Sequence, residues 1–242
     1  MNIVIDQGNT LAKVALFDAD RLVESFVFKT LRKSHIHKIL KQHSPCCGIL
    51  SSVAEPHESI TSLLEEQLKQ FVVLDNDMPL PVQITYKTPQ TLGKDRIAAV
   101  VGAHANHPKQ NLLIIDAGTA ITYDFVDAEG KYLGGNISPG LVTRFKSLKL
   151  HTKRLPLVDE QGECPEIGYS TETAIRSGVV KGITYEMDAY ITEYKLKYSD
   201  LFVFLTGGHS FYFETKLKNS TFADVNLVLK GLNRILNYNV KD

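Results

Sequence analysis

The chain opens on an apolar run, Ile3-Val4-Ile5, that stops at Asp6 and passes into Gln7-Gly8-Asn9-Thr10, the composition of a strand entering a tight turn. Further strands are predicted over 12–17 and 22–28, with a turn at Asp18-Ala19-Asp20, so the opening reads as an antiparallel meander. Apolar residues then recur at helical spacing over 30–42 and 58–70, on either side of a strand-like stretch at 48–53. Between 76 and 93 the pattern lapses around Pro79, Pro81 and Pro89, which predicts an extended connection. A helix over 95–105 leads into Leu112-Leu113-Ile114-Ile115-Asp116-Ala117-Gly118-Thr119, then strands over 120–126 and 132–138 around the turn Asp127-Ala128-Glu129-Gly130. Helices at 141–149 and 171–198, a strand at 201–205 ending in Thr206-Gly207-Gly208, and further helical segments complete the chain. The helix at 171–198 carries an apolar stripe (Ile175, Val179, Ile183, Met187, Tyr190, Ile191) suited either to a core or to a subunit contact.

Two stretches repeat one plan. Ile3-Val4-Ile5-Asp6-Gln7-Gly8-Asn9-Thr10 and Leu113-Ile114-Ile115-Asp116-Ala117-Gly118-Thr119 are each an apolar strand, an Asp, any residue, a Gly and then a hydroxyl within two positions. Both run into further strands, and in the first half three strands are followed by helix, strand and helix, the outline of a ribonuclease-H-like subdomain. The expected class is therefore α/β, with two duplicated subdomains, 1–111 and 112–242, each a mixed five-stranded sheet flanked by helices.

Composition narrows the function classes. Of 242 residues, 43% are apolar and 22% charged, and 27 basic side chains balance 27 acidic ones, so a role resting on bulk attraction to nucleic acid or to a membrane surface is not expected. The amino-terminal residues lack the pattern of a secretory signal, and no uncharged apolar run nears the ~18–20 residues that span a bilayer; a cytoplasmic location is expected. Three cysteines, Cys46, Cys47 and Cys164, match neither a disulfide framework nor a zinc site and read as buried thiols. His35 and His37 are two apart and cannot share a helix face, and His104 and His107 could but lack a third ligand nearby, so all four read as structural or surface residues. The basic stretch 144–154 is interleaved with Phe145, Leu148 and Leu150 and reads as a solvated helix face.

A strand ending in Asp-x-Gly-x-Thr suits phosphate. Glycine lets the backbone turn and approach without a Cβ, exposed N–H groups and a hydroxyl donate to phosphate oxygens, and the Asp offers a hard oxygen to a cation. The duplicated pattern resembles the superfamily of acetate kinase, hexokinase, actin and the heat-shock chaperone ATPases, whose paired subdomains close on ATP. Asp6-Gln7-Gly8-Asn9-Thr10-Leu11-Ala12-Lys13 looks like the first phosphate loop, Asp116-Ala117-Gly118-Thr119 like the second, and Gly207-Gly208 like the place where adenosine is contacted.

Gly93-Lys94-Asp95-Arg96 opens a predicted helix. Asp95 there could accept a proton from a hydroxyl and Arg96 could hold a carboxylate. With Tyr86 and Pro89 before it, and Tyr132-Leu133-Gly134-Gly135-Asn136-Ile137-Ser138-Pro139-Gly140, Leu155-Pro156, Ser170-Thr171-Glu172-Thr173-Ala174-Ile175 and Gly178 after it, the motif closely resembles type III pantothenate kinases. That resemblance implies transfer of the ATP γ-phosphate to pantothenate, the first step of coenzyme A biosynthesis, with Asp95 as general base. It also implies that Tyr86, Gly93, Lys94, Asp95, Arg96 and Thr171 bind pantothenate, and that residues 6 to 13, Thr119, Gly207 and Gly208 bind ATP. Magnesium, a monovalent cation (potassium or ammonium) at Asp116, and a homodimer are implied as well. The loop Ser51-Ser52-Val53-Ala54-Glu55-Pro56, with one residue more than the family pattern, and His209 after the double glycine depart from that pattern. A non-catalytic regulatory relative of the same fold, or a kinase of that superfold with another small-molecule acceptor, are the alternative readings; intact Asp6, Asp95, Arg96 and Asp116 speak against the regulator.

Overall fold

A computed structural model describes residues 1–53 and 57–240. The extra residue expected before Pro56 lies outside the described residues. The chain divides into two compact units: the first comprises Met1–Lys109, Val126–Leu133 and Asn226–Asp242, and the second Gln110–Phe125 and Gly134–Val225. The division by contacts thus takes a short middle segment and the carboxy-terminal helix into the first unit, whereas the repeat in the sequence marks a single point near 111.

In the first unit, β1 (Asn2–Gln7), β2 (Ala12–Asp18), β3 (Arg21–Phe28), β4 (Cys47–Ser52) and β5 (Gln70–Val73) form a sheet of order β3-β2-β1-β4-β5. Pairing is antiparallel along the opening meander, and parallel from β1 to β4 and from β4 to β5. Because side chains alternate across a strand, Ile3 and Ile5 face one way with Val14, Leu16 and Leu50, and pack on α1 (Lys33–His43) and α2 (Glu58–Gln67) through Ile36, Ile39, Ile60, Leu63 and Leu64. Val4, in register with Ala15 and Ile49, faces the other way; all three are fully buried. That second face is covered by α7 (Leu227–Asn239), which packs on β1, β2 and β4. The buried Asn233 of α7 is satisfied there, accepting from Asn2 Nδ2 at 2.9 Å and donating to the Ala19 carbonyl at 2.9 Å.

α7 also crosses α3 (Lys94–Asn106) with almost no side chain between the backbones. A Cβ on Gly231 would lie 1.8 Å from the Ala98 carbonyl oxygen, and one on Gly102 would lie 2.4 Å from that of Leu227. Only glycine permits this approach, and it fixes the axis of the helix that starts at the Gly93-Lys94-Asp95-Arg96 motif.

The second unit repeats the first. β7 (Leu112–Ala117), β8 (Ala120–Val126), β9 (Lys131–Pro139), β10 (Phe202–Thr206) and β11 (Phe222–Ala223) lie in the order β11-β10-β7-β8-β9. Read from β9, this matches β3-β2-β1-β4-β5 strand for strand. The leading residues of β9, which belong to the first unit, also pair with β6 (Gln83–Ile84), so this sheet has six strands where five were expected. The addition comes from the proline-rich connection, where a two-residue strand leaves no periodicity to read. The core here gathers Leu113, Ile115, Ile121 and Tyr123 with α4 (Leu141–His151) and α5 (Thr171–Lys197). The stripe Ile175, Val179, Ile183, Met187 and Ile191 on α5 turns inward to this core, with Tyr190 packed at its edge. A short helix, α6 (Ser210–Glu214), follows β10.

Among the described residues no helix is long and apolar enough to cross a membrane. The expectation of buried thiols holds for Cys47 only; Cys46 is exposed and Cys164 half-buried.

Candidate active site

In the first unit, Asp6 sits near the end of the central strand, opposite Lys13 on β2 and Ser51 on β4. Burial pushes its carboxyl up to about 6, against the pull of Lys13 and with the repulsion of Asp95 adding to the rise. The end of β1 and the start of α3 therefore share one electrostatic neighbourhood. The turn after Asp6 is closed by the Gly8 N–H donating to the Leu11 carbonyl at 3.0 Å, which leaves Asn9, Thr10 and Leu11 exposed at its tip, while Ala12 returns to the core. Gln7 carries a buried side-chain oxygen with no partner among the described residues.

Asp95 occupies the first turn of α3, where the helix N-terminus favours a carboxylate. Its Oδ1 accepts the Arg96 N–H at 2.9 Å. Arg96 is only 6% exposed, and its guanidinium carbon stands 5.7 Å from the centre of the Tyr86 ring. That ring in turn stacks on Tyr132 at 6.2 Å, beside the Thr85 hydroxyl, which donates to the Tyr132 carbonyl at 2.7 Å. Gly93 is the N-cap and Lys94 the first helical residue, half-buried. Asp6, Lys13, Asp95, Arg96 and Tyr86 thus form one polar group: two carboxylates, an ammonium, a guanidinium and an aromatic face.

In the second unit, Asp116 lies at the end of β7 in register with Thr206 on β10. The loop is closed by the Gly118 N–H to the Ala120 carbonyl at 3.0 Å; Thr119 is exposed, and its carbonyl accepts from the Gly140 N–H at 3.0 Å and the Thr143 hydroxyl at 2.7 Å. Gly207 lies against this loop: at φ +91° it adopts a conformation side chains disfavour, and a Cβ there would fall 2.4 Å from the Asp116 carboxylate. The His209 N–H donates to the Ala117 carbonyl at 3.1 Å, and Gly208 is exposed between them. Asp116, Thr119, Gly207 and Gly208 form a second group. Thr171 is exposed at the start of α5, in the second unit.

The residues fit a nucleotide with a divalent ion. A carboxylate whose ionisation is held back by burial and by a neighbouring carboxylate is an under-neutralised site that a cation would relieve. The glycine turns leave backbone groups unobstructed for phosphate.

One polar cluster escaped the sequence reading. The sequence pattern puts Arg144 on a solvated helix face, but in the structure its Nη2 donates to Glu186 Oε2 at 2.5 Å and to the Ser138 hydroxyl at 2.8 Å, and its Nε donates to the Pro139 carbonyl at 2.8 Å. The Tyr123 hydroxyl completes the set by donating to Glu186 Oε1 at 2.7 Å. No signal in the sequence links residues this far apart. The ion pair ties α5 to the start of α4, whose Gly140 and Thr143 hold the Thr119 carbonyl. Burial works the other way, yet the hydrogen bonds from Arg144, Tyr123 and Ser138 keep the Glu186 carboxyl below its ordinary value. Because the folded value is the lower one, the stabilisation is complete above the unfolded value and drains as pH falls through the folded one. Glu186→Gln is expected to cost about 1–3 kcal/mol at pH 7 and much less at pH 3, read as urea midpoints at both pH values.

Two sheets of matched strand order, each with its central strand running out into an Asp-x-Gly turn, define the actin-like ATPase fold shared by hexokinase-like enzymes. A ROK hexokinase from Thermus thermophilus aligns over 99% of both chains with a TM-score of 0.51 at 14% identity. A Campylobacter jejuni protein assigned to the Baf family of transcriptional activators aligns over 98% of both with a TM-score of 0.63 at 24% identity. At such identities the likeness concerns the fold alone. Sequence goes further: a profile of type III pantothenate kinases matches residues 2–193. The type III pantothenate kinase of Azobacteroides pseudotrichonymphae genomovar. CFP2 is 51% identical over 241 residues, covering 100% of this chain and 98% of that one. The chain belongs to the type III pantothenate kinase family.

Proposed function

We propose that this chain phosphorylates pantothenate with ATP, giving 4'-phosphopantothenate and ADP, the first step of coenzyme A biosynthesis. The observation that carries the chemistry is the pairing of Asp95 and Arg96 at the start of α3 with Asp6 at the end of β1. Arg96, with its guanidinium oriented beside Tyr86, is assigned to the pantothenate carboxylate. Asp95 accepts the proton of the primary hydroxyl as that oxygen bonds to the γ-phosphorus and the bond to the β,γ-bridging oxygen breaks. Gly93, Lys94 and Thr171 are assigned to the rest of the acceptor.

Residues 6 to 13, Thr119, Gly207 and Gly208 are assigned to ATP. Magnesium, when bound with the nucleotide, would supply charge neutralisation on the phosphates, and Asp6 is assigned to it. Asp116, with the Gly207 backbone against it, is assigned to a monovalent cation, potassium or ammonium. Alignment and charge compensation, more than covalent chemistry, are what this reaction asks of a protein. The family resemblance supports a homodimer working in the cytoplasm.

The test is an acceptor panel with labelled ATP: pantothenate, acetate, glucose and N-acetylmannosamine. Labelled phosphate is expected on pantothenate, dependent on magnesium and raised by potassium or ammonium. Equal or greater transfer to a sugar or to acetate would overturn the assignment of the acceptor, and no transfer to any of them would favour the regulatory alternative.

A further inference from the structure

The vicinal cysteines stand outside the site described above. In a regular strand neighbouring side chains point to opposite faces, yet Cys46 and Cys47 bring their sulfurs to 3.5 Å of one another. The cause lies in the chain leading up to them. α1 ends at Ser44 in a left-handed conformation (φ 46°), Pro45 follows, and Cys46 forms a bend before β4 begins at Cys47. The bend is held from both sides: the Cys46 N–H donates to the Met1 carbonyl at 2.9 Å, and its carbonyl accepts from the Lys69 N–H at 2.9 Å. The Cys46 backbone is therefore held by hydrogen bonds to the residues that directly precede β1 and β5.

Access and protonation differ between them. Cys46 is exposed, whereas Cys47 is 8% exposed and sits behind it. Burial works the other way, but the Cys47 S–H donating to Cys46 Sγ pulls the Cys46 thiol below its usual range. An outer sulfur biased toward thiolate, backed by a second in contact with it, is a bidentate soft-donor pair.

We propose that Cys46 and Cys47 together form a chelating site for trivalent arsenic compounds, the thiophilic class that takes two close sulfurs. The step balances without a redox partner: an arsine oxide, R–As=O, condenses with both thiols, forming two As–S bonds while the oxygen leaves with the two thiol protons as water. The site lies at the opening end of β4, whereas Ser51, the neighbour of Asp6, lies near its close, so it is separate from the phosphate-loop chemistry.

The test uses the full chain, fully reduced, titrated with phenylarsine oxide. One equivalent is expected to add a single phenylarsenic group by intact mass and to lower the reactive thiols from three to one, Cys164 being the survivor. Ethanedithiol should reverse the adduct where a monothiol in equal amount does not. Cys46→Ser and Cys47→Ser should each weaken binding by about 10²–10⁴-fold, the usual gain from a second tethered contact, while Cys164→Ser binds as the parent does. Should Cys47→Ser fail to fold, the exposed Cys46→Ser carries the comparison. Three thiols still reactive after one equivalent, an adduct lost with Cys164→Ser, or parental affinity in Cys46→Ser would each overturn the proposal.

Discussion

Asp95→Asn is expected to lower the turnover of pantothenate-dependent ADP formation by about 10²–10⁴-fold, the range associated with a positioned general base, while leaving the KM for ATP within a few-fold of the parent. The substitution keeps the size of the side chain, and its amide oxygen can still accept the Arg96 N–H that Asp95 Oδ1 accepts at 2.9 Å. What it removes is the capacity to take a proton, together with the negative charge at the start of α3 that helps hold back the ionisation of Asp6. A coupled assay for ADP reads turnover, and thermal unfolding of the same samples should show stability equal to or above that of the parent, since Asp6 loses a like-charged neighbour. A variant that retains parental turnover would remove Asp95 from the chemistry and leave it as a helix-start carboxylate.

Gly231→Ala is expected to produce a large loss of stability for a single added methyl. The new carbon would sit 1.8 Å from the Ala98 carbonyl oxygen and 2.9 Å from the Gly102 nitrogen, both backbone atoms that cannot rotate away. α7 and α3 would have to separate, and overpacking of this kind costs about 3 kcal/mol or more. For a chain of this size that is roughly 6–12 °C in Tm by differential scanning calorimetry. Gly178→Ala is the matched comparison: it lies within α5, nothing stands within 4 Å of an added Cβ, and the exchange should gain about 0.5–1 kcal/mol from helix propensity. Because α3 begins at the Gly93 cap, the Gly231 variant should also lose turnover in proportion to the displacement of Asp95.

Strong periodicity carried most of the architecture into the sequence. β1, β2 and β3 alternate or run apolar between clear turns, and α5 holds its stripe over many turns, so both were legible; so was the repeat that pairs Asp6 with Asp116. What escaped was short or non-local. β5 follows α2 so closely that the helical spacing over 58–70 runs into its first residue, Gln70, leaving Phe71, Val72 and Val73 too few to mark a strand, and the two-residue strands β6 and β11 exist only because a neighbouring edge offers partners. The same holds for side chains. The first-unit group of Asp6, Lys13, Asp95, Arg96 and Tyr86 is built from motifs that the sequence displays, whereas the Arg144–Glu186 pair depends on two helices meeting, and Arg144 sits among lysines that do face solvent. The cysteine pair failed for a third reason: its closeness comes from a bend at one residue, which hydrophobic patterning does not register.

The return of the last helix to the first unit has a consequence for how the molecule is made. A ribosome releases β1 to β5 early, but the Val4, Ala15 and Ile49 face lacks its α7 cover until that helix emerges, more than a hundred residues later. At ordinary elongation rates that wait is on the order of ten seconds, long enough for an uncovered sheet to attract holding factors or to aggregate. Nascent chains stalled before Asn226 should therefore be far more protease-sensitive in their first hundred residues than the full 242-residue chain after release.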